Sequence, residues 1–335
     1  MTDEAASEIR DMHQAIWGVL TDGLPVVLTT HARLDGDAVG SVLALWHGLR
    51  DRGVAAHQFF QPPTPVMFHF LPGMEHRQED PAQLPKSYNL VVIDCGTFDR
   101  VGEAADRLTG RVRTVNIDHH DGNAFFGDIN YVVPSASSCG EMIRDLLAAG
   151  GVSLSGPMAD CLFTAIVTDT GQFSHQDTTP QALHVCAECV GAGARPHELV
   201  RKLFLSPSPA QVKLRHLALG TLRFYNEGRI ATMEITEDMF LRTALGALDT
   251  EGFAEVPVSI QGVCVSALFK EIPDCDYIKV SMRGRGEVDV RQVACLFGGG
   301  GHRYAAGCEI HDGLANARAA VVRQLEQHLA GQLEK

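Results

Sequence analysis

Along the first half of the chain, short apolar runs alternate with stretches whose apolar positions recur every three or four residues. Ile9, Met12, Ile16 and Leu20 keep helical spacing, and residues 24–30 (LPVVLTT) then read as a buried strand. Asp35-Gly-Asp-Ala predicts a helix start, with Val39, Leu43, Trp46 and Leu49 on one face and Gly53 as the stop. Residues 54–60, 88–94 and 112–117 predict three more strands, and 129–133 a short fifth. Helices are expected over 138–149 and 158–168. This alternation predicts an α/β fold with an N-terminal, doubly wound, mainly parallel sheet.

The pattern then changes. Residues 61–87 are rich in Pro and Gln and predict an irregular excursion, whereas 180–226 read as wholly helical. Strands are expected at 229–235, 263–269 and 277–282, a short helix at 290–297 and a terminal one at 314–330. The expected organisation is a first domain over 1–185, a helical connector over 186–227, and a smaller α+β domain with a mixed sheet over 228–335.

Charge sharpens this division. The chain of 335 residues has a formal net charge of −13. Residues 1–185 hold 23 Asp and Glu against 11 Lys and Arg, and residues 186–335 hold 18 against 17. Such acidity argues against a track for long duplex nucleic acid, which needs many Lys and Arg contacts to phosphate. It leaves room for a phosphate-bearing substrate in a local pocket. The polar N-terminus lacks a basic start followed by an apolar core, and the apolar runs fall short of a membrane span. A cytoplasmic protein with no membrane contact is expected. The nine scattered cysteines read as buried thiols of a reduced compartment, and Cys186-x-x-Cys189, with no second Cys/His pair near it, reads as a helix with two half-buried thiols and no zinc.

Four acidic motifs follow the predicted elements of the first half: His31-Ala-Arg-Leu-Asp35-Gly-Asp37-Ala, then Asp94, then Asp118-His119-His120, then Asp169-Thr-Gly171. Ligands of open parallel sheets bind beyond the carboxyl ends of the strands. His31, Asp35, Asp37, Asp94, His119 and Asp169 are therefore expected to converge. An uncompensated cluster of carboxylates repels itself and must take up protons or cations. Mixed carboxylate and imidazole donors suit Mn²⁺, Fe²⁺ or Zn²⁺, and a set of about six suits two ions, as in phosphoryl-transfer sites. In the second half, Gly298-Gly-Gly-Gly301-His302 can bring backbone N–H groups close to a phosphate. Arg283 can grip phosphate through two N–H groups. Arg283, Arg285, Arg291 and Arg303 against Glu287 and Asp289 make a local cationic patch.

The motif series H-x-x-x-D-x-D-A-x-G, D, DHH, TDTG and GGGGH-x-x-A-A-G resembles the DHH phosphoesterase family with its C-terminal DHH-associated domain. The resemblance runs from His31 to Gly307. It implies a DHH metal-binding catalytic domain at the N-terminus and a DHH-associated substrate-binding domain at the C-terminus. One metal would be held by His31, Asp35 and Asp94, the other by Asp37, Asp94, His119 and Asp169, with Asp94 bridging. The implied cofactors are two divalent ions, Mn²⁺ above all. Asp118 would orient His119, His120 would meet the scissile phosphate, and a hydroxide between the metals would attack phosphorus. Arg283, Gly300, Gly301 and His302 would bind substrate. Ser137 and Ser138 fall at the family's Ser/Thr-rich helix start near the substrate, with Cys139 where Thr is more usual.

The size resembles the branch that degrades short RNA oligonucleotides and dephosphorylates 3′-phosphoadenosine 5′-phosphate. Ser-Met-Arg-Gly-Arg from Ser281 stands where family II pyrophosphatases carry Ser-Arg-Lys-Lys-Gln. The implied partners are short RNA oligonucleotides or small nucleotides, with a homodimer as the assembly. Two alternatives keep the same motifs: a phosphodiesterase of cyclic-di-AMP or its linear dinucleotide product, and a catalytically inactive nucleotide-binding regulator. The second should lack a metal ligand, and none is missing.

Overall fold

The apolar runs of the first half become five parallel strands in a computed structural model that describes residues 3–333 apart from 177, 251 and 287. The chain order is α1 (Asp3–Leu20), β1 (Val26–Thr29), α2 (Gly36–Asp51), β2 (Ala56–Gln58), β3 (Tyr88–Ile93), β4 (Arg111–Asp118), β5 (Ile129–Val132), α3 (Cys139–Ala149), α4 (Gly156–Asp169), α5 (Pro180–Gly191) and α6 (Pro196–Phe204). The strands lie in the order β2-β1-β3-β4-β5, all parallel. In this order the connections turn opposite ways out of β1 and β3. Their carboxyl ends flank the switch point at which doubly wound sheets bind ligands. Every residue of β1 and β3 is buried. Each buried Val, Leu or Ile contributes about 1.5–3 kcal/mol, so the strand ends next to the site are firmly anchored. On one face Val27, Leu90 and Val92 pack against Val101, Ala104, Ala105 and Leu108. The excursion over 61–87 holds three single 3₁₀ turns.

Two glycines of α2 decide how closely it meets α4. A Cβ on Gly36 would lie 2.3 Å from Thr168 Oγ1, and one on Gly40 would lie 2.4 Å from the Cys161 carbonyl oxygen. The start of α2 therefore sits against the end of α4, which brings Asp37 toward Asp169. Gly40→Ala would force backbone apart from backbone. We expect it to destabilise the fold by about 1–3 kcal/mol and to weaken divalent-ion binding, measured by thermal denaturation and titration calorimetry. An unchanged midpoint and affinity would show that this contact does not set the ligand spacing.

The chain parts into two compact units at residues 203/204. The second contains α7 (Pro209–Leu219), β6 (Arg223–Tyr225), β7 (Ile230–Ile235), α8 (Glu237–Thr243), α9 (Glu255–Val258), β8 (Val265–Glu271), β9 (Ile278–Gly284), α10 (Val290–Cys295), β10 (Gly300–Gly301), β11 (Ala305–Ile310) and α11 (Leu314–Leu333). Its sheet is mixed, in the order β10-β11-β9-β8-β7-β6, with only β7 and β8 parallel. The expectation of helix throughout 180–226 is corrected at its end, where Arg223–Tyr225 pair with β7. Strand β11 escaped the sequence reading because Ala-Ala-Gly-Cys-Glu-Ile has little β propensity; its pairing with β9 holds it in place. No helix among the described residues is long and apolar enough to cross a membrane.

Candidate metal centre

His31 follows β1, Asp94 follows β3, and Asp118 ends β4, so three neighbouring strands deliver side chains to one edge. His31 is buried, with Nε2 3.3 Å from Asp94 Oδ2 and 3.5 Å from Asp35 Oδ2. Asp35 also caps α2, accepting from the Ala38 amide at 2.9 Å. His119 is buried too, with Nε2 3.3 Å from Asp169 Oδ2, 3.6 Å from Asp94 Oδ1 and 3.8 Å from Asp37 Oδ2. The two oxygens of Asp94 thus face different imidazoles, Oδ2 that of His31 and Oδ1 those of His119 and, at 3.5 Å, His120. Asp94 takes a left-handed backbone conformation (φ 57°), uncommon outside glycine and costly unless its surroundings impose it. Asp37 is held from three sides: Oδ1 accepts from Ser41 Oγ and the Gly140 amide, both at 3.0 Å, and Oδ2 from the Cys139 amide at 2.7 Å.

The expectation that Asp118 orients His119 is corrected. His119 Nδ1 donates to the Ala136 carbonyl at 3.1 Å, while Asp118 Oδ1 accepts from His120 Nδ1 at 2.7 Å. Asp118 and His120 are two residues apart at a strand end, so they share a side and His119 faces away. The other Asp118 oxygen accepts from Asn123 Nδ2 at 2.6 Å. With Nδ1 committed to Asp118, the Nε2 of His120 accepts from Arg100, whose Nη1 lies 3.5 Å away.

The electrostatics ask for cations. Burial pushes the Asp37 carboxyl up to about 8, helped by the Asp94 charge beside it. Burial likewise holds Asp169 well above its usual range, with Asp37 and Asp94 adding to the effect. Burial opposes charge on His31, yet Asp35 and Asp94 raise it to about 10. His119 rises to about 10 in the same way, against burial, through Asp169, Asp94 and Asp37. Asp94 is displaced downward: burial favours its neutral form, but His31, His120 and His119 outweigh it. Without ions the cluster therefore keeps itself together with protons. His31 Nδ1 and Asp94 Oδ1 are buried and make no hydrogen bond among the described residues, an arrangement that is costly unless another partner is supplied. His31, Asp35 and Asp94 bring donor atoms within 4.8 Å of one another, as do Asp37, Asp94, His119 and Cys139. The donor set fits divalent ions.

Residues 25–166 match the DHH family, N-terminal domain, and residues 245–331 match the DHHA1 domain. The chain is 34% identical over 286 residues to a bifunctional oligoribonuclease and PAP phosphatase NrnA of Thermus thermophilus, covering 85% of this chain and 84% of that one. The chain belongs to the DHH family. It is a hydrolase. A second NrnA of the same description, from Bacillus subtilis, is 27% identical over 85% of this chain and 89% of its own. Among solved structures, an exopolyphosphatase-related protein of Bacteroides fragilis shares the fold with a TM-score of 0.86. It is 24% identical, and the match covers 95% of this chain and 96% of that one.

In the DHHA1 unit the glycine run divides into structural and open positions. A Cβ on Gly299 would lie 2.1 Å from the Gly307 carbonyl oxygen, and one on Gly301 2.5 Å from that of Ala305. Gly301 also has φ 135°, which other residues rarely adopt. A Cβ on Gly300 would meet nothing within 4 Å. Gly300→Ala should therefore leave the thermal midpoint unchanged and raise KM if the run cradles phosphate, whereas Gly301→Ala should lower the midpoint. Equal loss of stability in both would show that the run is purely a turn. His302 opens the tight connection between β10 and β11, its amide donating to the Ala305 carbonyl at 2.8 Å. Arg283 lies on β9, with Nε donating to Glu255 Oε1 at 2.8 Å. The expected cationic patch is largely paired: Arg291 meets Asp289 at 3.8 Å and Arg303 lies over the Tyr304 ring. Glu287 lies outside the described residues.

Ser137 and Ser138 are both buried. Ser137 Oγ donates to Glu141, and Ser138 caps α3, its Oγ accepting from the Glu141 amide. Their hydroxyls brace the start of α3, whose first two amides hold Asp37. Sequence reasoning missed Arg100, Asn123 and Glu141. Glu141 accepts from Ser137 and from Thr179 Oγ1, tying the start of α3 to that of α5. Arg100 and Asn123 sit in no motif and only folding brings them to the site, whereas Glu141 stands three residues after Ser138 in the helix-start spacing Ser-x-x-Glu, a signal that could have found it.

Proposed function

We propose that this chain is a two-metal phosphoesterase that hydrolyses short oligoribonucleotides to mononucleotides and removes the 3′-phosphate of 3′-phosphoadenosine 5′-phosphate. The observation that carries this reading is Asp94, whose two carboxylate oxygens face His31 and His119 separately. His31, Asp35 and Asp94 would hold one ion, and Asp37, Asp94, His119 and Asp169 the other. We take Mn²⁺ as the best fit to mixed carboxylate and imidazole donors. Such ions polarise a phosphoryl oxygen and supply a nucleophilic water near neutral pH. The names of the NrnA relatives support the choice of substrate.

The rest falls to the chain's own residues. Asp118 holds the His120 ring through Nδ1, so that Nε2, once protonated, would donate to incoming phosphate beside the Arg100 guanidinium. That pair would bind and orient the scissile group. Arg283, Gly300, Gly301 and His302 would supply further contacts to substrate. All nine cysteines are unpaired, which fits a reducing compartment, and we propose a cytoplasmic enzyme.

The test is a hydrolysis panel with the full chain and Mn²⁺: RNA pentamer, RNA dimer, 3′-phosphoadenosine 5′-phosphate, cyclic-di-AMP and a long single strand. Turnover of the first three, with the long strand much slower, is expected. Preference for the cyclic dinucleotide would replace this reading with the phosphodiesterase alternative. Binding without turnover of any substrate would mean a regulator.

A further inference from the structure

Cys139 opens α3 and is fully buried. Its amide donates to Asp37 Oδ2 at 2.7 Å, so its backbone is locked to a proposed metal ligand. Its Sγ belongs to the group in which single donor atoms of Asp37, Asp94, His119 and Cys139 all lie within 4.8 Å of one another. Among the described residues the thiol makes one hydrogen bond, a long one of 3.7 Å to the Ile117 carbonyl. Beside it is Asp94, 3% exposed, whose Oδ1 receives no hydrogen bond.

Hard ions are satisfied by carboxylate and imidazole donors, whereas thiolate sulfur selects softer ones. Two carboxylates, one imidazole and one thiol are four donors of the types that Zn²⁺ takes. We propose that Cys139 is a conditional ligand that gives this metal centre a second, thiophilic loading state, in which Zn²⁺ or Cd²⁺ is held by Sγ together with Asp37, Asp94 and His119. On binding, the thiol proton leaves to solvent and a sulfur lone pair forms the metal bond. A Mn²⁺-loaded centre would leave the thiol protonated. Metal identity would then be set inside the site by whichever ion recruits the sulfur. The proposal rests on the two-metal reading above.

The test is zinc X-ray absorption on the full chain carrying one equivalent of Zn²⁺, beside calorimetric titration with Zn²⁺ and with Mn²⁺. A sulfur shell at about 2.3 Å is expected for the wild type, alongside lighter donors at about 2.0–2.1 Å. Cys139→Ser should lose that shell and lower the ratio of Zn²⁺ to Mn²⁺ affinity by about 10–100-fold. A Cys186→Ser, Cys189→Ser double variant should keep both, which excludes the thiols of α5. Stoichiometric zinc held by nitrogen and oxygen alone in the wild type would overturn the role of Cys139 and leave the two-metal reading intact. Failure of the wild type to bind either ion would overturn both. A sulfur-free wild-type spectrum overturns the proposal even if Cys139→Ser does not fold.

Discussion

Asp94→Asn is expected to lower turnover at saturating Mn²⁺ by about 10³-fold or more, the scale on which oriented charge acts on a developing phosphoryl transition state. The change is nearly isosteric, so its effect should come from charge. Asp94 is the one carboxylate whose oxygens serve both imidazole-bearing halves of the centre, at 3.3 Å from His31 and 3.6 Å from His119. An amide offers one oxygen and turns an N–H donor toward the other half. Without ions the variant should melt near the wild type, because relief of repulsion with Asp37 offsets loss of the His31 contact. The rise in melting temperature on adding Mn²⁺ should be lost, since an ion that no longer binds cannot stabilise the fold. Paired steady-state kinetics and thermal denaturation check both outcomes. Retained turnover together with a retained metal-induced shift would falsify the bridging assignment.

A different signature is expected from Asp118→Asn. Turnover should fall by about 10²- to 10⁴-fold while affinity for Mn²⁺ stays near the wild type. Asp118 is fully buried and accepts two hydrogen bonds, from His120 Nδ1 and from Asn123 Nδ2. An asparagine can accept only one of them and must point its own donor at the other. Either the His120 ring loses its anchor or it takes the opposite tautomer, and a histidine held in the wrong tautomer is catalytically crippled. The unmatched buried donor should also cost about 1–3 kcal/mol of stability. Titration calorimetry with Mn²⁺ separates this variant from Asp94→Asn. If both lose metal affinity equally, Asp118 acts on the ions and the account of His120 is wrong.

These two residues also mark how far the sequence could be read. Asp94 was legible because an acidic residue directly after a short, wholly apolar run must stand at a strand's carboxyl end, where a parallel sheet gathers its ligands. The same strand-end reasoning leads to His31 and His119, and the motif series adds Asp35 and Asp37 at a helix start and Asp169 at a helix end; the structure brings all five within 4 Å of a neighbour in the cluster. Asp118 was found but given the wrong partner. Two adjacent histidines leave sequence alone unable to say which one faces the carboxylate, whereas the strand's alternation assigns His120.

The sequence by itself determined the five strands and main helices of the first unit, the acidic motifs at their ends and the glycine run of the second unit. Each is a local pattern: apolar periodicity, a residue at an element boundary, or a lack of side chains. What only the tertiary structure decided depends on distances between residues far apart in the chain. It showed that Gly36 and Gly40 let α2 close on α4, and that α3 turns its amides onto Asp37. It also placed Cys139 close to Asp37, Asp94 and His119, Arg100 beside His120, and strand β11, weak in propensity, against β9. No periodicity encodes these, because a side chain's partner across a fold is chosen by packing and by the need to satisfy buried charge.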